Sequence, residues 1–292
     1  MRYRTLGRTG LRVSEVGFGG APAGIPHYIE PWDTAAAAER DSVVRAVRRG
    51  LDLGLNYLDT APGYGGGVGE EIFGEAIRGR RQEVILATKT GARDPKGIAQ
   101  NVEASLRRLG TDYLDVLQFH GGWYPAEDVE KVLRRGGLEA FQRLREQGKA
   151  RFLGFTAEGP SGGVSELIVT GAFDVLQCRY NLCNQQTCDF INEAGIIREA
   201  KAQGMGVVTM RTLTSGIFQR LFHQSFPEVA DALGLDRFLL NFVLSNPLID
   251  VALVGMRRPD EVEAHNALSE DVAERVDLVG LHVRQFPPGA PP

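Results

Sequence analysis

Short apolar runs alternate with longer amphipathic stretches along the whole chain. Eight runs read as strands: Val16–Gly19, Asn56–Asp59, Val84–Thr88, Leu114–Phe119, Phe152–Thr156, Val175–Arg179, Gly206–Met210 and Val251–Val254. They are short and mostly apolar on both faces, as expected of parallel strands covered on each side. Between them lie stretches with helical spacing. Asp41–Leu53 places Val43, Val44, Val47 and Leu51 on one stripe, and Gly69–Ile77 does the same with Ile72, Phe73 and Ile77. Ile98–Leu109, Leu138–Gln147, Val164–Thr170, Ile196–Ala202, Asp236–Leu244 and Pro259–Leu268 complete the series. Gly54, Gly110, Gly148 and Gly171 follow helical stretches, where glycine caps the C-terminus.

This alternation predicts repeated βα units and an α/β fold. Tyr3–Thr5 and Leu11–Val13 flank Leu-Gly-Arg-Thr-Gly and read as a short N-terminal β-hairpin. Eight units around one core predict a single domain over residues 1–292. An open doubly wound sheet fits less well, because no G-x-G-x-x-G follows any strand.

Composition narrows the function. Of 292 residues, 43% are hydrophobic and 24% charged, which excludes a disordered chain. The net charge of −4 gives no basic excess for nucleic acid. Arg78, Arg80 and Arg81 read as a solvated helix end. No run reaches the ~20 apolar residues of a membrane helix, and the N-terminus lacks a leader-like apolar stretch, so the expectation is cytoplasmic. Cys178, Cys183 and Cys188 are spaced five apart without a C-x-x-C core, which predicts free thiols and no metal or cluster.

The chemistry-bearing residues gather at strand ends. Asp59 closes its run, and Tyr64 follows in Asp-Thr-Ala-Pro-Gly-Tyr-Gly. Lys89 comes just past Val84–Thr88, and His120 just past Leu114–Phe119. If these strands are neighbours in a barrel, the four side chains share its C-terminal mouth, where barrel active sites are built. A lysine beside a phenol stabilises the phenolate, which makes tyrosine a usable acid.

With those motifs in order from about Tyr3 to Asn266, the chain resembles the aldo-keto reductase superfamily. The start Tyr3-Arg-Thr-Leu-Gly-Arg-Thr-Gly-Leu-Arg-Val-Ser-Glu-Val-Gly-Phe-Gly-Gly carries the resemblance, as do Asn56-Tyr-Leu-Asp-Thr-Ala-Pro-Gly-Tyr-Gly and the Lys89 and His120 strands. The resemblance implies a (β/α)8 TIM barrel using NADPH/NADP, with NADH/NAD as the other option and no metal. It implies Tyr64 as general acid/base, Lys89 lowering its pKa, Asp59 orienting Lys89, and His120 polarising the substrate oxygen. It further implies cofactor contacts from Thr156, Gln177, Met210, Arg211, Leu213, Ser215, Gly216, Gly255, Arg257, Arg258 and Glu263. Ala157 stands where the family commonly has Asn, and Ala264-His265 where it commonly has Glu-Asn. Arg257 and Arg258 suit a 2′-phosphate at a helix start.

Trp32, Trp123 and Tyr124 are the candidates for a substrate pocket, since mouth loops set specificity on barrels. The C-terminal stretch Gln285–Pro292 is Pro-rich and expected to fray. The leading expectation is an NAD(P)(H)-dependent oxidoreductase of aldehydes, ketones and alcohols. Its partner is a small-molecule carbonyl or sugar; no nucleic-acid or membrane partner is expected. A sugar 1-dehydrogenase stays open as an alternative. So does a slow-turnover nucleotide-sensing subunit resembling potassium-channel β subunits. A serine hydrolase is rejected on the reading that the chain holds no G-x-S-x-G.

Overall fold

The computed structural model describes residues 1–28 and 30–285. The Pro-rich tail beyond Gln285 lies outside the described residues. β1 (Tyr3–Thr5) and β2 (Arg12–Ser14) pair antiparallel, with Tyr3 opposite Ser14. Eight parallel strands follow: β3 (Val16–Gly19), β4 (Tyr57–Asp59), β5 (Ile85–Thr90), β6 (Leu114–Phe119), β7 (Ala150–Ala157), β8 (Val175–Arg179), β9 (Gly206–Met210) and β10 (Val251–Gly255). β10 pairs with both β9 and β3, which closes the sheet into a barrel.

Helices wrap the outside. They are α1 (Ala21–Gly24), α2 (Ala37–Asp52), α3 (Val68–Ala76), α4 (Pro95–Leu109), α5 (Ala126–Leu133), α6 (Gly137–Glu146) and α7 (Gly162–Val169). α8 (Ile196–Ala202), α9 (Ile217–Ser225), α10 (Pro227–Leu233), α11 (Leu235–Leu244), α12 (Pro259–Glu270) and α13 (Leu278–Gln285) follow. The fold is therefore a (β/α)8 TIM barrel with a short N-terminal hairpin.

Alternation along the strands divides the barrel interior into two levels. The lower level is apolar: Tyr57, Ala87, Val116, Val175, Val208 and Val251 pack with Leu6 and Val13 of the hairpin. Two residues further along their strands, Asp59, Lys89, Gln118 and Gln177 form a buried polar level. The hairpin seals the floor. Arg8 N donates to Gly204 O at 2.7 Å, and a Cβ on Gly7 (φ 45°) would lie 2.2 Å from Gly206 N. Only glycine tolerates both that backbone and that approach.

Element existence follows the sequence pattern, while some boundaries move. β5 runs to Thr90, so Lys89 lies inside the strand instead of beyond it. The second hairpin strand sits one residue later than expected. α1, α5, α9, α10 and α13 were not anticipated. α9 buries none of its residues, and α10 buries only Ala230, so neither carries a core-facing stripe to reveal it.

Candidate active site

The polar level opens upward into a cleft of about 1020 Å3, part of it open to solvent. Asp59, Tyr64, His120 and Gln177 line its base. One rim carries Met210, Arg211, Thr212, Leu213, Ser215 and Gly216. The opposite rim carries Gly19, Gly20, Ala21, Pro22 and Gly255.

Asp59 ends β4 and Lys89 sits on the adjacent β5, so the register brings them together. Lys89 Nζ donates to Asp59 Oδ1 and Oδ2 at 2.7 Å each and to Thr60 O at 2.8 Å. The same nitrogen lies 5.2 Å from the centre of the Tyr64 ring. The loop holding Tyr64 turns sharply against α1: a Cβ on Gly65 (φ 66°) would lie 1.9 Å from Gly24 O. Tyr64 and His120 meet edge to face, with ring centres 6.0 Å apart and planes at 89°. His120 is fixed through its backbone, its N–H donating to Thr90 O at 2.8 Å.

The electrostatics follow from burial around one cation. Burial pushes the Tyr64 phenol above its usual range, and the Lys89 charge only partly offsets this. Lys89 does act in the expected direction, lowering the phenol pKa by its charge and hydrogen bond, while desolvation is the larger effect and keeps the net shift upward. Burial also pulls the Lys89 ammonium down, but the charges of Asp59 and Tyr64 outweigh it and hold the pKa up. Burial raises the Asp59 carboxyl against the opposing pull of Lys89. Burial and the charges of Lys89 and Arg93 bring His120 down to about 4. Its ring still meets water along the cleft, which screens part of that effect.

Gln118 was not foreseen. It donates to Gln177 Oε1 at 3.0 Å and, at a longer 3.4 Å, to Asp59 Oδ1. The signal was present: a polar side chain in an otherwise apolar strand, in phase with inward-facing Val116. Gln177 Nε2 in turn points to Asp59 Oδ2 at 3.4 Å. Glu158 and Tyr28 also line the cleft unforeseen, and Glu158 Oε1 accepts from Arg211 at 2.9 Å. Arg211, Thr214 and Ser215 take left-handed φ values of 57°, 53° and 55°, a strained rim.

Several expected site residues lie elsewhere. The Thr156 hydroxyl is spent on the Gly121 backbone, accepting from N at 2.9 Å and donating to O at 2.7 Å. Glu263 faces α2 and pairs with Arg49 at 2.8 Å. Tyr124 is a core residue, 2% exposed, with its hydroxyl on Phe119 O at 3.1 Å. Trp123 is half exposed and covers Gly159, outside the cleft lining. Trp32 is buried beneath the Arg257 guanidinium, whose carbon lies 4.4 Å from the indole centre.

Arg257 and Arg258 do sit together at the start of α12, two and three residues beyond Gly255. Arg257 is 5% exposed and pairs with Glu30 at 3.1 Å. Arg258 reaches the same carboxylate oxygen at 3.5 Å and also pairs with Glu261. Among the described residues, three buried donors lack partners: Thr212 Oγ1 in the cleft wall, and Arg257 Nη1 and Trp32 Nε1 beside the start of α12. Unmatched donors of this kind fit a ligand rich in acceptors, as a dinucleotide is.

Two other sequence readings can be settled. The reading that no G-x-S-x-G occurs is corrected: the chain contains one, Gly159-Pro160-Ser161-Gly162-Gly163. Ser161 is the N-cap of α7 with φ −157°, an extended and unstrained backbone, and its hydroxyl serves Val164 N and Trp123 O. It is not a nucleophile elbow. Cys178 faces away from Gln177 into the layer between sheet and helices, as alternation requires.

A family model described as "Aldo/keto reductase family" matches residues 15–277. The chain belongs to the aldo/keto reductase family. Membership makes it an oxidoreductase. L-galactose dehydrogenase of Arabidopsis thaliana is 28% identical over 98% of this chain and 91% of its own length. An NADH-specific methylglyoxal reductase of Escherichia coli is 28% identical over 63% of this chain and 60% of its own. An aldo-keto reductase of Bacillus halodurans in its holo form superposes with a TM-score of 0.74 at 25% identity, covering 98% of this chain and 96% of that one. No described helix of this aldo/keto reductase is long and apolar enough to cross a membrane. Among its described residues, no group of three or more His, Cys, Asp or Glu is placed to hold a metal ion.

Proposed function

We propose that the protein interconverts aldehydes or ketones and alcohols with a nicotinamide dinucleotide, NADP(H) in preference to NAD(H). The observation that carries this reading is the contact of Tyr64, His120 and the Asp59–Lys89 pair at the base of one cleft. Gln177 would meet the nicotinamide end. Met210 would cover it as a polarizable apolar surface. Arg211, Leu213, Ser215, Gly216 and Gly255 would hold the middle, and Arg257 and Arg258 the adenosine end. Bound there, the cofactor supplies or accepts the hydride.

The protein's part is a proton and a polarised oxygen. Tyr64 is protonated at neutral pH because its pKa lies above the usual phenol value, so it is loaded to donate. Lys89 offers the charge that stabilises the phenolate left behind. His120 is neutral at the same pH and can hydrogen-bond the substrate oxygen without adding a second full cation beside Lys89. Asp59 keeps Lys89 oriented. In the oxidising direction Tyr64 takes the proton back. A sugar 1-dehydrogenase is the second reading, favoured by the likeness to L-galactose dehydrogenase over nearly the whole chain.

The test is a panel of aldehydes, ketones and sugars with each of the four cofactor forms, followed by absorbance of the reduced nicotinamide. Tyr64→Phe is run beside the wild type. The variant should lose roughly 10²–10⁴-fold in turnover, the usual scale of general acid catalysis, while its cofactor Kd stays within about twofold. Turnover within a few-fold of wild type would remove Tyr64 from the role.

A further inference from the structure

The two arginines at the start of α12 already have an anion. Glu30 Oε1 sits 3.1 Å from Arg257 Nη2 and 3.5 Å from Arg258 Nη1. It comes from the loop between α1 and α2, far away in sequence. His27 and Trp32 on either side of Glu30 are tied to each other. Trp32 N donates to His27 Nδ1 at 3.1 Å, and His27 N donates to Trp32 O at 3.2 Å. His27 is held at φ 53°. The Trp32 ring beneath Arg257 fixes the other end. A second carboxylate, Glu261, accepts from the backbone N–H groups of Arg257 at 2.6 Å and Arg258 at 3.0 Å. The helix start that would draw a phosphate is thus partly satisfied before any ligand arrives.

We propose that Glu30 is a specificity-determining residue that restrains the preference of this cleft for a 2′-phosphate over a 2′-hydroxyl. The inference rests on the cleft being a nicotinamide dinucleotide site. Glu30 acts by charge. A carboxylate accepts a hydrogen bond from a ribose hydroxyl but repels a phosphate dianion. To seat the phosphate on Arg257 and Arg258, the Glu30 ion pairs must be broken and the carboxylate moved aside. Seating a hydroxyl requires neither. Arg257 and Arg258 therefore favour NADP(H), and Glu30 subtracts from that advantage. Glu30 is half exposed at the loop surface, so a neutral isostere leaves the core untouched.

Fluorescence titration of NADPH and NADH, without substrate, reads the effect directly. Glu30→Gln should tighten NADPH by roughly tenfold, the scale of one charge-assisted hydrogen bond, and change NADH by less than about twofold. Placed in an Arg257→Ala, Arg258→Ala background, Glu30→Gln should shift the NADPH-to-NADH ratio by clearly less than in the single variant, because no ion pair remains to be broken and only the direct repulsion of the phosphate is relieved. An unchanged ratio in the single variant, with both cofactors still bound, overturns the role of Glu30 and leaves the cofactor site standing. An equal shift for both cofactors makes Glu30 a loop-positioning residue and overturns the proposal as well. Failure of the wild type to bind either cofactor overturns this proposal together with the proposed function.

Discussion

His120 carries the most readable titration in the site. Its pKa is depressed from 6.5 to about 4 by burial and two nearby cations. The folded state therefore binds fewer protons than the unfolded chain between those values. Its contribution to stability is complete above 6.5 and is lost as pH falls through about 4. A pH profile of kcat/KM for reduction should show no inflection near 6.5 that His120→Gln removes; any limb due to His120 belongs near 4. An inflection near neutrality that vanishes in the variant would mean that the imidazolium form is the working one. At this scale the sequence made Asp59, Tyr64, Lys89 and His120 legible because four motifs stood in order at strand ends. Gln118 was missed although strand alternation marked it. Tyr124 was misassigned because aromatic residues after His120 suggest a pocket wall. A left-handed backbone at φ 48° turns Tyr124 into the core instead.

The Asp59–Lys89 pair joins β4 to β5 as well as serving the site, and both partners are almost fully buried. Removing one member leaves an uncompensated buried charge, which costs about 3–5 kcal/mol. Asp59→Asn should therefore lower the unfolding free energy by an amount of that order, read as a fall in the urea midpoint with little change in m, whereas Tyr64→Phe should barely move it. A loss of unfolding free energy below about 1 kcal/mol would mean that water or Gln118 takes over the role of the carboxylate. The barrel strands were legible because each is an apolar run that the fold covers on both faces. α9 and α10 were not, because helices that bury no residue or a single alanine leave no periodic apolar signal tied to a core. Of the left-handed residues before α9, Arg211, Thr214 and Ser215 are types that do not advertise it; only Gly216 is one that does.

At the scale of the molecule, the hairpin and barrel form one closed vessel. The seal depends on Gly7, whose added Cβ would meet backbone, a neighbour unable to move aside cheaply. Gly7→Ala should lower stability by roughly 1–3 kcal/mol, read as a fall in Tm, while the folded protein keeps its cofactor Kd. A Tm equal to wild type would show that the floor can open locally to admit the methyl group. The seal also decides how the vessel trades protons with water. Beneath Tyr64 stand Ala87, Val116, Val175 and Val208, and the Tyr57 hydroxyl among them finds no hydrogen-bond partner among the described residues. Ala87, Val116, Val175 and Val208 themselves offer no group that could relay a proton downward. On the proposed chemistry, a proton spent at Tyr64 is replaced from above, through the same opening that admits substrate. Recharging the phenol and discharging the product then share one doorway, and each catalytic cycle is reset only while that doorway stands open to solvent.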